Sequence, residues 1–227
     1  MGRRARTRKG SGGGHGRRRR RPLWQESLVV IGVALAISVL VKSFLLQVFV
    51  IPSNSMWDTL RVGDRVVVDK LTPWFGSQPE RGEVVVFHDP LNWLAAEPAP
   101  QPDLVHKALA PIGLLPSAGE KDLIKRTIAI AGDTVSCAAG GPVVVNGRAL
   151  DEPYLFPGSS PCDDAPFAPV TVPAGKIWVM GDHRQNSRDS RYHVNDATHG
   201  FVPVDKVIGR AVAVVWPIPH WAPLPTH

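Results

Sequence analysis

Two serines lie two residues apart in the stretch "IPSNSMWDTL", residues 51–60, which directly follows a long apolar run. A serine hydroxyl is a poor nucleophile at its ordinary pKa and needs a positioned base, usually a histidine or a neutral lysine. Serines in such turns more often bond the local backbone. Ser53 and Ser55 therefore indicate an activity only if a base is found elsewhere in the chain.

Histidine and lysine are the candidate bases. None of the eight histidines belongs to a Gly-x-Ser-x-Gly pattern, and the spacing of His183, His193 and His199 matches no usual metal site. Lys125 lies in the apolar stretch "DLIKRTIAI", where loss of hydration disfavours the ammonium and lowers the pKa of a lysine. Arg126 should point to the opposite face of the strand. A lone strand lysine more often faces solvent, so this signal is weak by itself.

A polar loop offers a third set of groups. The stretch "GDHRQNSRDSR", residues 181–191, follows the apolar "KIWVM" and combines hydroxyls, a carboxylate and several cations. Ser187 could bond a lysine amine, and Asp189 could pair with Arg188 or Arg191. The loop is either an ordinary surface loop or an internally bonded support for a site.

The positive charge is concentrated at the N-terminus. Of the 26 Lys and Arg residues, ten lie in residues 1–21, which contain no Asp or Glu, and the other 206 residues carry 16 basic and 20 acidic side chains. An Arg-rich tail before an apolar run is the positive-inside signal for a membrane span rather than a nucleic-acid-binding arm. We predict a disordered cytoplasmic tail over residues 1–24, a retained transmembrane helix over 25–48 and an extracytoplasmic β-rich domain over 49–227. A cleaved secretory signal is the alternative for the apolar run.

Short apolar stretches separated by Gly, Pro and Asp predict a mainly β domain of curled antiparallel sheets or a partial β-barrel. Asn146-Gly147 between apolar flanks predicts a two-residue hairpin. Two Pro-rich stretches, residues 89–121 and 151–169, are predicted to be surface insertions. Cys137 and Cys162 either form a disulfide or remain unpaired. The predicted strands cover residues 64–70, 82–88, 122–130, 133–137, 141–150, 176–182 and 206–216.

Five ordered motifs give the chain a family resemblance. The apolar run is followed by "IPSNSMWDTL", "GDRVVVDKL", "RGEVVVFHDP", "IKRTIAIAGDTV" and "GDHRQNSRDSR". In this order they resemble the motifs of bacterial type I signal peptidases, or leader peptidases, over the anchor and most of residues 51–202. A single Ser-x-Ser-Met would be a weak signal, but five motifs in order argue against chance. The resemblance implies a single-pass serine endopeptidase of the cell membrane, with no cofactor and no metal.

The resemblance also implies a role for each matching residue. Ser55 matches the nucleophile and Lys125 the general base, while Ser53 and the Ser55 backbone N–H match the oxyanion hole. Ser187 matches the serine that orients the lysine amine. Asp189 and Arg191 match a supporting salt bridge of the family. The family positions that line shallow substrate pockets are matched by Ile51, Pro52, Met56, Leu60 and Ile124.

The implied activity is removal of N-terminal signal peptides from exported preproteins, cutting after Ala-x-Ala through an acyl-enzyme. The implied partners are preproteins, the lipid bilayer and a nearby secretion translocon, with no nucleic acid. Asn54, Asp58 and His183 depart from the family's usual residues. Two alternatives stay open. The first is a self-cleaving repressor-type Ser/Lys protease, but residues 1–50 leave no room for the DNA-binding domain of such a protein. The second is an anchored non-enzymatic module, and the Ser55/Lys125 pair argues against it.

Overall fold

Helix α1 is the first element of the chain. The structure, a computed structural model, describes residues 23–44, 46–70, 76–94, 122–224 and 226. Helix α1 spans Leu23–Phe44 and has Glu26 in its first turn, where a carboxylate complements the helix dipole. No helix among the described residues combines the length and the sustained hydropathy that a bilayer crossing demands. The transmembrane segment over residues 25–48 stays a prediction, and the tail predicted over 1–24 lies almost wholly outside the described residues.

Strand β1 begins where the sequence predicts the last turn of that helix. It spans Leu46–Val50 and pairs antiparallel with the next strand over five residues. Phe49 is buried, whereas Leu46 and Val48 are exposed. Periodicity alone does not separate a short apolar run in a strand from one in a helix. Here the pairing with the next strand shows that residues 46–50 form a strand. The helix ends at Phe44, four residues before the predicted end at residue 48.

The described part of residues 38–227 is mainly β, as predicted. Most of the predicted strands are present within one or two residues of their predicted ends. Strands β1, β8, β10 and β12 are additional, and β8 takes up the end of the insertion predicted over 151–169. After β1 the strands are β2 Arg65–Asp69, β3 Val84–His88, β4 Asp122–Ile130, β5 Thr134–Cys137, β6 Val143–Val145, β7 Arg148–Ala149, β8 Phe167–Thr171, β9 Lys176–Met180, β10 Val202–Pro203, β11 Val207–Trp216 and β12 Ala222–Pro223.

The larger sheet has the order β1-β2-β11-β3-β4-β9-β10, with β12 beside β11, and all its pairings are antiparallel. Its path does not close into a barrel within the described residues. Strand β4 lies between β3 and β9 and is buried at seven consecutive positions. Both faces of β4 are therefore covered, which places the side chains of Lys125 and Arg126 inside the protein on opposite faces of one strand.

The smaller sheet has the order β7-β6-β5-β8. Its β6–β7 hairpin turns at Asn146 and Gly147, which have φ angles of 51° and 78°. Positive φ at both central residues is what a type I′ turn requires, and Asn-Gly adopts it at little cost. The predicted hairpin is confirmed.

Within the described residues, three apolar clusters form the core. One lies under the residue 51–60 turn and includes Met56, Leu60 and Val66, all with no exposed area. The second surrounds Trp178 and joins the smaller sheet to β9. The third contains Phe87 and Trp93. Short 3-10 helices complete the described fold at Arg184–Asn186, Ser190–His193, Val204–Lys206 and Ile218–His220.

The two predicted insertions differ in how much of them is described. Of residues 89–121, only 89–94 are described, and there the Asp89 carboxylate accepts hydrogen bonds from the N–H groups of Leu91, Trp93 and Leu94. Residues 151–169 are fully described, and a disulfide joins Cys162 to Cys137 in β5. Closing a loop of this length contributes about 3–4 kcal/mol in the chain-entropy estimate.

Candidate active site

The Ser55 hydroxyl and the Lys125 amine meet although they are 70 residues apart in sequence. Lys125 Nζ lies 2.5 Å from Ser55 Oγ, and the two residues are 4% and 5% exposed. Lys125 is held by the buried strand β4. Ser55 is held by the residue 51–60 turn. The start of this turn is fixed by the Ile51 N–H donating to Asp64 O and by the Gly63 N–H donating to Ile51 O, both at 2.9 Å.

Ser53 stands beside the same hydroxyl. Its Oγ donates to Ser55 Oγ at 3.3 Å, and it is half-buried. The backbone N–H of Ser55 donates no hydrogen bond within the described residues. One hydroxyl and one N–H therefore lie beside the Ser55 hydroxyl, and both are donors of the kind that an oxyanion hole uses. Asn54, between the two serines, has no positive φ, so its departure from glycine causes no backbone strain.

The polar loop, residues 181–191, contains the ion pair that the sequence suggests. Asp189 pairs with Arg191 and not with Arg188, at 2.9 Å between Oδ1 and Nε, and both side chains are fully buried. The Gly181 N–H donates to Asp189 Oδ2 at 3.0 Å. Burial disfavours the charge, but attraction to Arg191 and these hydrogen bonds hold the pKa of Asp189 below its usual value. Asp189 is therefore ionised at neutral pH and ties the start of the loop to its end.

Ser187 is buried in this loop and lines the same cleft as Lys125. Among the described residues its hydroxyl has no partner of normal hydrogen-bond geometry, although it lies close enough to Asp189 to help lower the pKa of that carboxyl. The bond to the lysine amine that the sequence suggests is therefore not formed in the described structure. Space around it is tight, because a Cβ at Gly181 would overlap Ser187 Oγ and the carbonyl oxygen of Ser55. Gly181 therefore lets the polar loop approach the residue 51–60 turn closely.

A second buried ion pair lies on the other face of β4, and the sequence did not indicate it. Arg126 Nε and Nη2 donate to Asp182 Oδ1 and Oδ2 at 2.9 and 2.7 Å, and both side chains have no exposed area. Thr59 Oγ1 donates to Asp182 Oδ2 at 2.5 Å. The pair joins three segments, β4, the polar loop and the residue 51–60 turn. Its partners are 56 residues apart, and no spacing rule connects them.

A cleft of about 340 Å³ opens beside Ser55 and Lys125. Of the five residues suggested for the substrate pockets, Pro52 and Ile124 line it. Ile51, Met56 and Leu60 are instead buried in the core beneath the turn. A larger cavity of about 470 Å³ is lined by neither Ser55 nor Lys125. The cleft is lined by Pro52, Ser53, Ser55, Leu94, Asp122, Leu123, Ile124, Lys125, Gln185, Asn186, Ser187, Arg188 and Tyr192.

The two other departures from the family pattern have simple structural accounts. Asp58 is exposed and lies 3.7 Å from Arg61, a surface contact of small energy. The backbone N–H of His183 donates to Ser55 O at 3.1 Å, and its ring stacks on Phe156 with centroids 4.3 Å apart. Neither change displaces Ser55 from Lys125.

The chain is similar to known proteins over most of its length. The family "Signal peptidase, peptidase S26" matches residues 24–216. A probable signal peptidase I of Mycobacterium leprae is 40% identical, over 88% of this chain and 78% of that protein. The signal peptidase I of Mycobacterium tuberculosis strain H37Rv is also 40% identical, over 88% of this chain and 75% of that protein.

A crystal structure of a signal peptidase I from Enterococcus faecalis V583 matches 59% of this chain and 97% of that chain, at 24% identity and a TM-score of 0.39. The family match covers most of the chain, and the mycobacterial relatives are similar along three quarters or more of their own length. The resemblance read from the five motifs is confirmed, and the chain belongs to the signal peptidase family, peptidase S26.

Proposed function

We propose that this enzyme removes signal peptides from exported preproteins, with Ser55 as the nucleophile and Lys125 as the general base. The observation that carries the proposal is the 2.5 Å distance between Lys125 Nζ and Ser55 Oγ in a buried setting. A buried amine at hydrogen-bond distance from a hydroxyl is the arrangement that a Ser/Lys dyad requires.

Burial gives the lysine its ability to act as a base. Lys125 is 4% exposed, and removal of water disfavours an ammonium relative to a neutral amine. We therefore expect the pKa of Lys125 to lie below the usual lysine value, so that a useful fraction is neutral near the working pH. The neutral amine then accepts the Ser55 proton while Oγ attacks the scissile carbonyl carbon.

The same amine serves both halves of the reaction. When the tetrahedral intermediate collapses, protonated Lys125 gives its proton to the leaving nitrogen of the mature protein, and Ser55 keeps the signal peptide as an ester. A water molecule then replaces the mature protein and attacks the ester carbon while it loses a proton to Lys125. Lys125 returns this proton to Ser55 Oγ as the signal peptide leaves with a free carboxyl group. Each step needs a donor or an acceptor within reach of Ser55 Oγ, and Lys125 is within that reach.

Replacing Ser53 with alanine should slow processing without abolishing it. In the reaction the Ser53 hydroxyl turns from Ser55 Oγ toward the developing oxyanion, which the Ser55 N–H also contacts. Loss of one such donor costs about 10²–10³-fold in kcat. Steady-state cleavage of a purified preprotein in detergent measures the effect.

Ser53→Thr is the matched control, because it keeps the hydroxyl and should retain much more activity than Ser53→Ala. Equal activity in Ser53→Ala and the wild type would show that the hydroxyl contacts no charge that develops in the transition state.

The rate should rise with pH through the titration of Lys125. The base must be neutral, so kcat/KM should increase about tenfold per pH unit below the midpoint and level off above it, with the midpoint below the ordinary lysine value of about 10.4. A pH series of initial rates measures the midpoint. His183→Gln is the control and should leave the midpoint in place, whereas a midpoint near 6.5 that disappears in this variant would assign the base to histidine.

The narrow cleft supports specificity for small side chains. Pro52 and Ile124 line it, and a large residue before the scissile bond would collide with them. We propose that cleavage follows an Ala-x-Ala sequence. N-terminal sequencing of products from a preprotein with Ala→Phe before the scissile bond tests this, since cleavage at the same bond with the wild-type rate would contradict it.

We also propose that α1 anchors the enzyme in the cell membrane, with the N-terminus cytoplasmic, the peptidase domain outside and the secretion translocon nearby. Family membership supports this, and so do the apolar side chains on α1, among them Leu28, Val30 and Leu35, which are 59%, 66% and 61% exposed. Protease protection in spheroplasts tests the orientation, because externally added protease should remove the domain that contains Ser55.

A further inference from the structure

The segment over residues 152–162, here called the clasp, runs along the polar loop and contacts it at several points. At one end Glu152 pairs with Arg184, and both side chains are buried. At the other end the Pro161 carbonyl accepts from Arg191 Nη1 at 3.3 Å. Between them Ser159 Oγ accepts from the Arg184 N–H at 3.1 Å. The clasp therefore bonds the polar loop along its length.

The Glu152–Arg184 pair is the strongest of these contacts. The Glu152 side chain is 3% exposed, and Arg184 has no exposed area. Arg184 Nε donates to the Gly181 carbonyl at 2.8 Å, and its own carbonyl accepts from Arg191 Nη2 at 2.8 Å. The Tyr154 hydroxyl donates to Glu152 Oε1 at 3.1 Å. One carboxylate thus fixes the arginine on which the start and the end of the polar loop converge.

The middle of the clasp reaches the nucleophile through Phe156, which contacts His183 and also Trp57 of the residue 51–60 turn, with the Trp57 and Phe156 ring centroids 5.8 Å apart. The Phe156 N–H donates to Asp182 O at 3.1 Å, and the Phe156 ring stacks on His183. His183 in turn bonds the Ser55 carbonyl through its backbone N–H. A displacement of the clasp would consequently reach Ser55 through His183 and through Trp57.

The disulfide closes the clasp at its far end. Cys162 is fully buried and bonded to Cys137, a residue of the second apolar cluster. The clasp is therefore tied to the smaller sheet at Cys162 and to the polar loop at Glu152.

We propose that the clasp holds the polar loop in the geometry needed for acyl transfer, and that Glu152 is its principal positioning residue, acting through Arg184. Glu152 touches no reacting atom. Its effect passes to Ser187, which shares the polar loop with Arg184, and to Ser55, which bonds His183. The catalytic part of this inference rests on the proposed function, whereas the structural part does not.

The test uses Glu152→Gln in the full chain in detergent, with Asp151→Asn as the control. Gln keeps the shape of Glu152 and removes its charge. Asp151 is the neighbouring carboxylate, exposed and without a contact to the polar loop in the described structure. Two measurements are made, hydrogen–deuterium exchange of the amides of residues 181–191 and the separate values of kcat and KM for a preprotein.

Glu152→Gln should speed amide exchange in the polar loop and lower kcat by about 10²-fold, because small misplacements of reacting groups cost that much. KM should stay within about twofold, since Glu152 does not line the cleft. Asp151→Asn should change neither quantity. The result that overturns the proposal is unchanged exchange in residues 181–191 with kcat at the wild-type value.

A second variant tests the clasp independently, in case Glu152→Gln fails to fold. Cys137→Ala combined with Cys162→Ala opens the far end of the clasp without leaving a buried charge, and it should produce the same two changes in smaller measure. Loop exchange equal to wild type in this variant also counts against the clasp. If the wild-type enzyme leaves the preprotein intact, the proposed function fails, while the exchange measurement still decides whether the clasp holds the loop.

Discussion

Lys125→Met and Ser55→Ala are each expected to lower kcat for preprotein cleavage by about 10⁴-fold or more. In the proposed mechanism the two residues act as a unit, so removing either one removes the whole nucleophilic route. Met replaces the lysine with a side chain of similar length, which fits the apolar surroundings of β4 and has no basic nitrogen. Single-turnover cleavage of a purified preprotein in detergent, followed by gel densitometry over hours, measures rates this low.

The double variant provides the sharper test of the dyad. Because both residues serve the same step of the proposed mechanism, Ser55→Ala combined with Lys125→Met should be no slower than either single variant. Additive losses would mean that the two residues act in separate steps. Lys206→Met is the matched control, since Lys206 is exposed and has no contact that would be lost in the described structure. Cleavage by Lys125→Met at the rate of Lys206→Met would exclude Lys125 as the base.

Local sequence signals predicted the strands and the hairpin well. The β6–β7 turn follows from Asn146-Gly147, because those residues adopt positive φ at little cost, and β4 follows from a short stretch rich in Leu and Ile. Strand β1 was not predicted, because its apolar residues follow those of α1 with no Gly or Pro between them. Only pairing with β2 separates the two elements, and pairing partners cannot be read from a local pattern.

Sequence motifs identified some residues of the site, whereas its buried ion pairs became visible only in the folded structure. The motifs identified Ser55 and Lys125, and the structure brings these residues together. The pairs Arg126–Asp182 and Glu152–Arg184 were not predicted, because their members lie 56 and 32 residues apart and meet only through the fold. A buried arginine inside an apolar strand was the one available signal, since such a charge requires a partner.

The residues suggested for the substrate pockets show what a sequence motif does not predict. Met56 and Leu60 match family positions described as pocket lining, but here both side chains have no exposed area and anchor the residue 51–60 turn in the core. A motif identifies a position and not the direction of its side chain. Leu94 and Tyr192, which do line the cleft, come from segments without any motif signal for that role.

Arg126→Met is expected to destabilise the folded domain by about 3–5 kcal/mol. Arg126 is fully buried and donates to Asp182 through two nitrogens and to the Gly82 carbonyl at 2.7 Å. Its guanidinium also lies 3.9 Å from the centre of the Tyr154 ring. Removing it leaves the Asp182 carboxylate buried without its counter-charge, which is the costly half of breaking a buried ion pair. Urea unfolding in detergent, followed by tryptophan fluorescence, measures the change.

The chain offers a matched control for this loss. Arg61 and Asp58 also form an arginine–aspartate pair, but they are 3.7 Å apart with side chains 52% and 53% exposed, so Arg61→Met should cost less than about 1 kcal/mol. The thermal midpoints should separate in the same order, with a decrease of about 6–20 °C for Arg126→Met. Adding Asp182→Asn to Arg126→Met should recover part of the loss, because no unpaired charge then remains inside. If Arg126→Met and Arg61→Met unfold at the same urea concentration, the Arg126–Asp182 pair does not hold β4, the polar loop and the residue 51–60 turn together.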